Sequence, residues 1–203
     1  MNHQNRHTSF KFKLAAVAAL FALTPMLAQA HHLPGQVSGF ASGLSHPVLG
    51  LDHILVMLGV GLWAAQLGGR SLWLVPATFV SLMTVGGALG MMGVHVPMVE
   101  TGILASVLVL GILIAAAARL PLAVSMGVVG LFAIFHGHAH GTEIPAAASG
   151  FSYAMGFVLA TAGLHACGIG LGLAAQKQLP ARLPVMRLAG AAIAVAGICL
   201  WLF

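Results

Sequence analysis

Two short stretches of the sequence carry side chains that bind transition metals. The first spans residues 46–53 and has an aspartate beside its second histidine; the second spans residues 135–143 and holds three histidines and a glutamate. The candidate ligands are His46, Asp52, His53, His136, His138, His140 and Glu143. Imidazole and carboxylate groups bind divalent metals. Both stretches lie in apolar sequence, where ionisable groups are costly and usually functional, so we expect a metal site.

The composition predicts that a membrane surrounds these residues. The chain is 60% hydrophobic and 5% charged, whereas a soluble domain has roughly 25% charged residues. Its mean hydropathy is +1.02. Because the chain has 203 residues, we expect a single all-α integral membrane domain over residues 31–203.

Residues 1–30 are predicted to be a cleavable signal peptide. Arg6, Lys11 and Lys13 precede an apolar run over residues 14–23, and small residues at positions 28 and 30 suit a signal peptidase. An uncleaved signal anchor is the alternative. Cleavage would place His31 and His32 at a periplasmic N-terminus, where we expect them to help capture a metal ion.

The rest of the chain predicts six membrane-spanning helices. Each apolar stretch is close to the ~20 residues that cross a bilayer, and short connections make neighbouring helices antiparallel. The predicted spans are 47–67, 72–92, 97–118, 120–140, 149–174 and 183–203.

The basic residues predict the orientation of these spans. With a periplasmic N-terminus, every Lys and Arg after the signal falls in a cytoplasmic loop, as the positive-inside rule requires. These residues are Arg70, Arg119, Lys177, Arg182 and Arg187. The pI of 10.0 therefore reflects topology in a bacterial inner membrane, and we expect no nucleic-acid partner. The same topology brings both histidine stretches to the outer side.

Helical periodicity predicts how the histidines face one another. His46 and His53 are seven residues apart and would share one face of a continuous helix, with Met57 one turn deeper. His136 and His140, four apart, would share a face, while His138 would point across it. Asp52 is left with three roles: direct metal ligand, hydrogen-bond acceptor for an imidazole on a neighbouring helix, or proton carrier.

Span five carries a further histidine, beyond the midplane of the membrane. His165, with Cys167 two residues on, could form an inner relay site for a cation, although a histidine hydrogen-bonded between helices is nearly as plausible. Cys199 belongs near the opposite end of its span, so no disulfide with Cys167 is expected. His95 lies outside both stretches and fits an interfacial position better.

The two stretches resemble the paired signature of the HupE/UreJ family of bacterial nickel and cobalt permeases. The resemblance rests on His46, five residues and Asp52-His53, then on Phe135-His136-Gly137, His140-Gly141 and Glu143. It covers essentially the whole chain. It implies uptake of Ni²⁺ across the inner membrane for [NiFe] hydrogenase or urease, with the ion as transported substrate. The family's functional positions match His46, Asp52, His53, His136, His140 and Glu143; the position of His138 is less restricted.

The sequence is compatible with other functions. Cobalt is the main rival cargo, and a homo-oligomer is possible. An intramembrane metalloenzyme is less favoured because the sequence has no His-Glu-x-x-His motif, so we expect no enzyme and no permanently bound cofactor. A metal sensor would bind the ion without net flux. Energy coupling is either entry driven by the membrane potential or proton exchange at Asp52.

Overall fold

A computed structural model describes residues 39–144, 149–178 and 184–202, and regular structure in these residues is entirely helical. The helices are α1 Gly39–Ser45, α2 Leu51–Leu67, α3 Ser71–Met91, α4 Val99–Ala115, α5 Leu122–Thr142, α6 Gly150–Gln178 and α7 Val185–Leu202. A 3₁₀ turn, His46–Val48, follows α1. The predicted signal peptide, His31, His32 and Arg182 lie outside the described residues.

Four of the helices, α3, α5, α6 and α7, are long and apolar enough to cross a membrane. A fifth candidate span combines α1 and the 3₁₀ turn with α2. Helix α4 is apolar but has 17 residues, or ~25 Å at 1.5 Å per residue. The predicted all-α, multi-pass membrane protein is confirmed, with four to five candidate spans, whereas the count of six remains a prediction.

The first predicted span is not one continuous helix. The chain bends by 78° between the segment ending at Val48 and α2. Gly50 is extended at the bend, with φ −95° and ψ 123°, and a Cβ there would lie 2.8 Å from both Asp52 Oδ1 and His53 Nδ1. The prediction that His46 and His53 share one helix face is therefore wrong. Asp52 and His53 occupy the first turn of α2.

Close contacts between helices fix the position of the second histidine stretch. Helix α5 packs along α3, and a Cβ at Gly137 would clash with the backbone carbonyl of Met83. Gly141 makes an equally close approach to Gly87 one turn further on. Small residues allow such approaches in membranes, where packing contacts drive helix association. The backbone of α5 is therefore held against α3 beside the histidines.

The remaining helices pair around a core centred on α2. Helix α2 packs against α6, and α4 packs against α7. Met57, Trp63 and Phe79 are fully buried in this core. Large apolar side chains also cover the outside, including Phe151 at 77% exposure, as expected for a surface that faces lipid tails.

One end of the helices is basic. The indole Nε1 of Trp63 donates to Ala118 O, which brings the carboxyl ends of α2 and α4 together. Arg187 Nε, at the start of α7, donates to the neighbouring Ala115 O over 2.8 Å. Arg70 follows the carboxyl end of α2 and Arg119 follows that of α4, so both lie at the same end as Arg187, as the sequence predicts. The cytoplasmic location of that end stays a prediction.

Candidate metal centre

The structure brings the two histidine stretches together at the other end of the helices. His140, near the end of α5, has its ring centroid 4.6 Å from that of His46 and 4.3 Å from that of His53. The His53 and His136 centroids are 4.8 Å apart. His46 therefore reaches the cluster from the 3₁₀ turn, and His53 reaches it from α2. Helix α5 continues through His136 and His140, which is the condition under which these two histidines share a helix face.

Three of the side chains form an outer group. Glu143 Oε2 lies 3.3 Å from His46 Nε2 and 3.6 Å from His140 Nδ1. The candidate ligand atoms of these three residues all lie within 4.8 Å of one another. Two ligands on one ion at ~2.0–2.2 Å each are separated by roughly 4 Å or less. Small side-chain movements would therefore let the outer group bind one ion.

Glu143 is a carboxylate in this arrangement. It follows the last residue of α5, and its side chain is 53% exposed. The interaction with His140 lowers the pKa of Glu143, and the nearby His46 adds to the effect, although burial opposes it. The outer group thus combines one negative charge with two imidazoles.

An inner group begins with Asp52 and His53. Asp52 Oδ1 is 2.9 Å from His53 Nδ1, and because a carboxylate only accepts, Nδ1 is the donor. In the neutral ring, His53 Nε2 then carries the lone pair, and this buried atom has no hydrogen-bond partner among the described residues. A carboxylate held in this way fixes the tautomer of a ligating histidine. Asp52 therefore orients the histidine beside it, rather than one on a neighbouring helix.

His136 completes the inner group and is fully buried. Its Nε2 is 2.9 Å from Ser106 Oγ on α4. Its Nδ1, like both ring nitrogens of His140, is buried without a hydrogen-bond partner in the part of the chain described. Because buried polar atoms are normally paired, such a concentration of unpaired imidazole nitrogens is typical of a site that binds a cation.

A cleft of about 440 Å³ opens onto both groups, and its lining includes His46, His53, Glu143 and Glu100. We did not predict Glu100 as a site residue. The sequence does contain a signal for Glu100, because it is one of only three acidic residues in the chain. A second cavity of about 290 Å³ lies beside His140 but is lined mainly by apolar side chains such as Met91 and Phe157. It offers an ion few ligands, so the polar cleft is the candidate site.

His138 is not brought into the cluster. Its Nε2 lies 2.7 Å from Val94 O, a carbonyl that can only accept, so this histidine ties α5 to the connection between α3 and α4. His95 is exposed on that same connection. The structure therefore gives His138 a structural contact where we predicted a metal ligand.

The predicted inner relay residues are also separated. His165 is fully buried, and neither ring nitrogen has a hydrogen-bond partner within the described segments. Its ring centroid is 5.2 Å from that of Phe79, which is in turn 5.8 Å from that of His136. Cys167 is an exposed free thiol on the same helix, and Met57 is buried in the core. Of the three, only His165 combines burial with ligand nitrogens that have no hydrogen-bond partner in the described residues, as expected of a relay site.

The fold and the site define an all-helical, multi-pass membrane protein with a histidine and carboxylate cluster at one end. Residues 18–200 match the HupE / UreJ protein family, so the chain belongs to that family, and the resemblance seen in the sequence is confirmed. The chain is 45% identical over 188 residues to Protein HupE of Rhizobium leguminosarum bv. viciae, covering 93% of this chain and 96% of the relative. No solved structure matches the chain.

Proposed function

We propose that this protein imports Ni²⁺ across the bacterial inner membrane through six spans and supplies nickel enzymes such as hydrogenase or urease. The observation that carries the proposal is the meeting of His46, His140 and Glu143, whose ligand atoms lie within 4.8 Å of one another. Two separate parts of the chain contribute to this group, and it faces a polar cleft. The ion is a substrate that passes through and not a resident cofactor.

A gradient of burial supports a direction for the ion. The side chains of Glu143 and His46 are 53% and 35% exposed, whereas that of His53 is 12% exposed. His136 is fully buried. The outer group would capture a hydrated ion, and His53 and His136 would replace more of its water. A series of binding sites with moderate affinity lets a permeating ion both enter and leave.

His140 connects the two groups. Its Nδ1 lies 3.6 Å from Glu143 Oε2, and its ring contacts those of both His46 and His53. Because Nδ1 of His140 faces Glu143 in the outer group, its Nε2 is the nitrogen left to bind an ion together with the inner histidines. We assign the next step to His165, which lies behind Phe79, and exclude Cys167 because it is exposed on another side of its helix.

The ligand chemistry fits nickel and leaves cobalt as the alternative cargo. Imidazole suits Ni²⁺, and a carboxylate oxygen completes a mixed site. Affinity alone follows the order Co²⁺ below Ni²⁺ below Cu²⁺, so selectivity depends on geometry and metal supply. Competition between Ni²⁺ and Co²⁺ in uptake therefore ranks the two cargoes.

The membrane potential is our proposed driving force. A divalent ion entering the cell gains about 4.6 kcal/mol per 100 mV. Asp52, which proton exchange would require, already accepts a hydrogen bond from His53. Collapsing the potential while keeping a pH gradient should stop uptake. Uptake at full rate under those conditions would instead favour coupling to protons.

The test of transport is accumulation of radioactive Ni²⁺ at submicromolar metal in cells that lack their own nickel importers. We expect the intact protein to raise accumulation and His53→Ala to abolish the increase. His95→Ala is the matched control, because this histidine is exposed and outside the cluster. Unchanged uptake by a normally inserted His53→Ala protein would contradict the proposal. Metal binding without accumulation would indicate a sensor or storage protein.

A further inference from the structure

Ser106 makes two hydrogen bonds inside the protein. It lies on α4 and is fully buried. Its Oγ is 2.5 Å from Ile103 O, one turn earlier in the same helix, and 2.9 Å from His136 Nε2 on α5. The hydroxyl therefore contacts a carbonyl on one side and an imidazole nitrogen on the other.

The two contacts determine where the protons lie. Ile103 O is a carbonyl and can only accept, and the hydroxyl of Ser106 has a single proton to donate. At 2.5 Å, two oxygen atoms without a proton between them would repel, so the serine proton lies on this contact. A serine in a helix often donates to a carbonyl of the preceding turn in this way. The Ser106 oxygen is then an acceptor for His136.

The consequence for His136 is a single tautomer. Its Nε2 carries the proton that Ser106 accepts, and its Nδ1 carries a lone pair. Nδ1 is buried and has no hydrogen-bond partner in the described part of the protein. The opposite tautomer would bury an Nδ1 proton that has no acceptor among the described residues. It would also turn the lone pair of Nε2 towards a lone pair of the serine oxygen, and unsatisfied buried polar groups are costly.

The same logic operates at His53 with the nitrogens exchanged. There Asp52 accepts the proton of Nδ1, and Nε2 keeps the lone pair. The ring centroids of the two histidines are 4.8 Å apart. Each imidazole therefore has one nitrogen held by a hydrogen bond and the other buried without a hydrogen-bond partner among the described residues.

We infer that Ser106 is a positioning residue that holds His136 with its proton on Nε2 and presents the Nδ1 lone pair to a divalent metal ion. The inference deepens the proposed function, on which its metal-binding part rests. It adds a buried residue of α4 to the site, whose cleft Glu100 of the same helix already lines. Fixing the tautomer and orientation of a ligand in this way typically changes metal affinity 10–100-fold.

The first test reads the tautomer without metal. Histidine rings labelled with ¹⁵N in the full-length protein, in lipid bilayers, report by NMR which nitrogen carries the proton; His136→Gln identifies the signals. We expect His136 in the intact protein to be protonated at Nε2, and Ser106→Ala to shift the proton to Nδ1 or to a mixture. Ser106→Thr should keep the original tautomer, because the hydroxyl is retained.

Ser125→Ala is the matched control. Ser125 is also fully buried, but its hydroxyl contacts the backbone carbonyls of Leu120 and Pro121, just before its own helix begins. Its removal should leave the His136 spectrum unchanged. A proton on Nδ1 of His136 in the intact protein would overturn the inference, as would an unchanged tautomer in Ser106→Ala. The measurement on the intact protein does not depend on the folding of any variant.

The second test measures Ni²⁺ affinity by calorimetry on the same folded proteins. We expect Ser106→Ala to weaken binding about 10- to 100-fold, and both Ser106→Thr and Ser125→Ala to bind like the intact protein. Equal affinity of Ser106→Ala and the intact protein would contradict the positioning role. If the intact protein bound no Ni²⁺, the proposed function would fail, while the NMR result would still decide the tautomer.

Discussion

The two ends of the helical bundle use polar side chains in opposite ways. At the basic end, Trp63 donates to Ala118 O, and Gln176 donates to Ala65 O. These carbonyls lie at or just beyond the ends of helices, where further turns no longer satisfy them. At the histidine end, nitrogens of His53, His136 and His140 are buried with no hydrogen-bond partner among the described residues.

This difference distinguishes polar side chains that stabilise the fold from those that we propose bind metal. Side chains that satisfy backbone carbonyls stabilise helix ends, and at the basic end Trp63, Gln176 and Arg187 have this role. Gln66 shows both patterns, since its Nε2 donates to Ile114 O, while its buried Oε1 has no partner within the described ranges. One unpaired atom is an ordinary imperfection, whereas several imidazole nitrogens unpaired in one place indicate a ligand.

The largest effect should come from His140, which joins the outer and inner groups. We expect His140→Ala to reduce Ni²⁺ accumulation to the level of cells without the protein. His138→Ala, two residues away on the same helix, should keep most of the accumulation per folded molecule, because His138 contacts Val94 O and not the cluster. Equal losses in the two variants would remove the distinction between functional and structural histidines.

A smaller effect is expected at Asp52. Asp52→Asn keeps the size of the side chain but replaces the anionic acceptor for His53 Nδ1. Loss of such a partner should weaken Ni²⁺ binding roughly 10- to 100-fold. Gln176→Ala removes a hydrogen-bonding side chain at the basic end and should leave Ni²⁺ affinity unchanged. Calorimetry on the purified proteins would show whether the two ends respond differently.

The contact between α3 and α5 provides a test of stability. A Cβ at Gly137 would clash with Met83 O, whereas a Cβ at Gly127, on the same helix, would meet no heavy atom within 4 Å. We expect Gly137→Ala to destabilise the protein by about 1–3 kcal/mol. Gly127→Ala should be neutral or stabilising by up to about 1 kcal/mol. Unfolding of both variants in the same detergent checks the difference, and matching stabilities would contradict the close packing.

The smallest effect is expected at Trp63. Trp63→Phe keeps an aromatic ring but removes the N–H that donates to Ala118 O. We expect a loss of stability of about 1 kcal/mol and no change in Ni²⁺ affinity per folded molecule. A clear loss of affinity would show that the basic end contributes to the metal site.

The sequence predicts the long helices well because their apolar lengths are set by the bilayer. The predicted span 72–92 corresponds to α3, Ser71–Met91, and the span 120–140 corresponds to α5, Leu122–Thr142. The bend before α2 was missed, because it depends on the extended backbone of Gly50 and on its close contact with Asp52 and His53. Hydrophobic periodicity contains no information about that contact.

The candidate site was predictable as a set of residues but not as a set of contacts. Alternating topology suffices to bring the two histidine stretches to the same end. The hydrogen bonds that distinguish the histidines come from distant positions, as with Ser106 for His136 and Val94 for His138. A lone serine in an apolar helix carries no sequence signal for such a role.

We propose that the histidine end is a passage for metal and not only a binding site. Ni²⁺ entry into liposomes that contain the purified protein, with an imposed inside-negative potential, tests this most directly. We predict entry with the intact protein and with His95→Ala, and none above protein-free liposomes with His140→Ala. Binding of Ni²⁺ by the intact protein without entry, or equal entry with His140→Ala, would contradict the account.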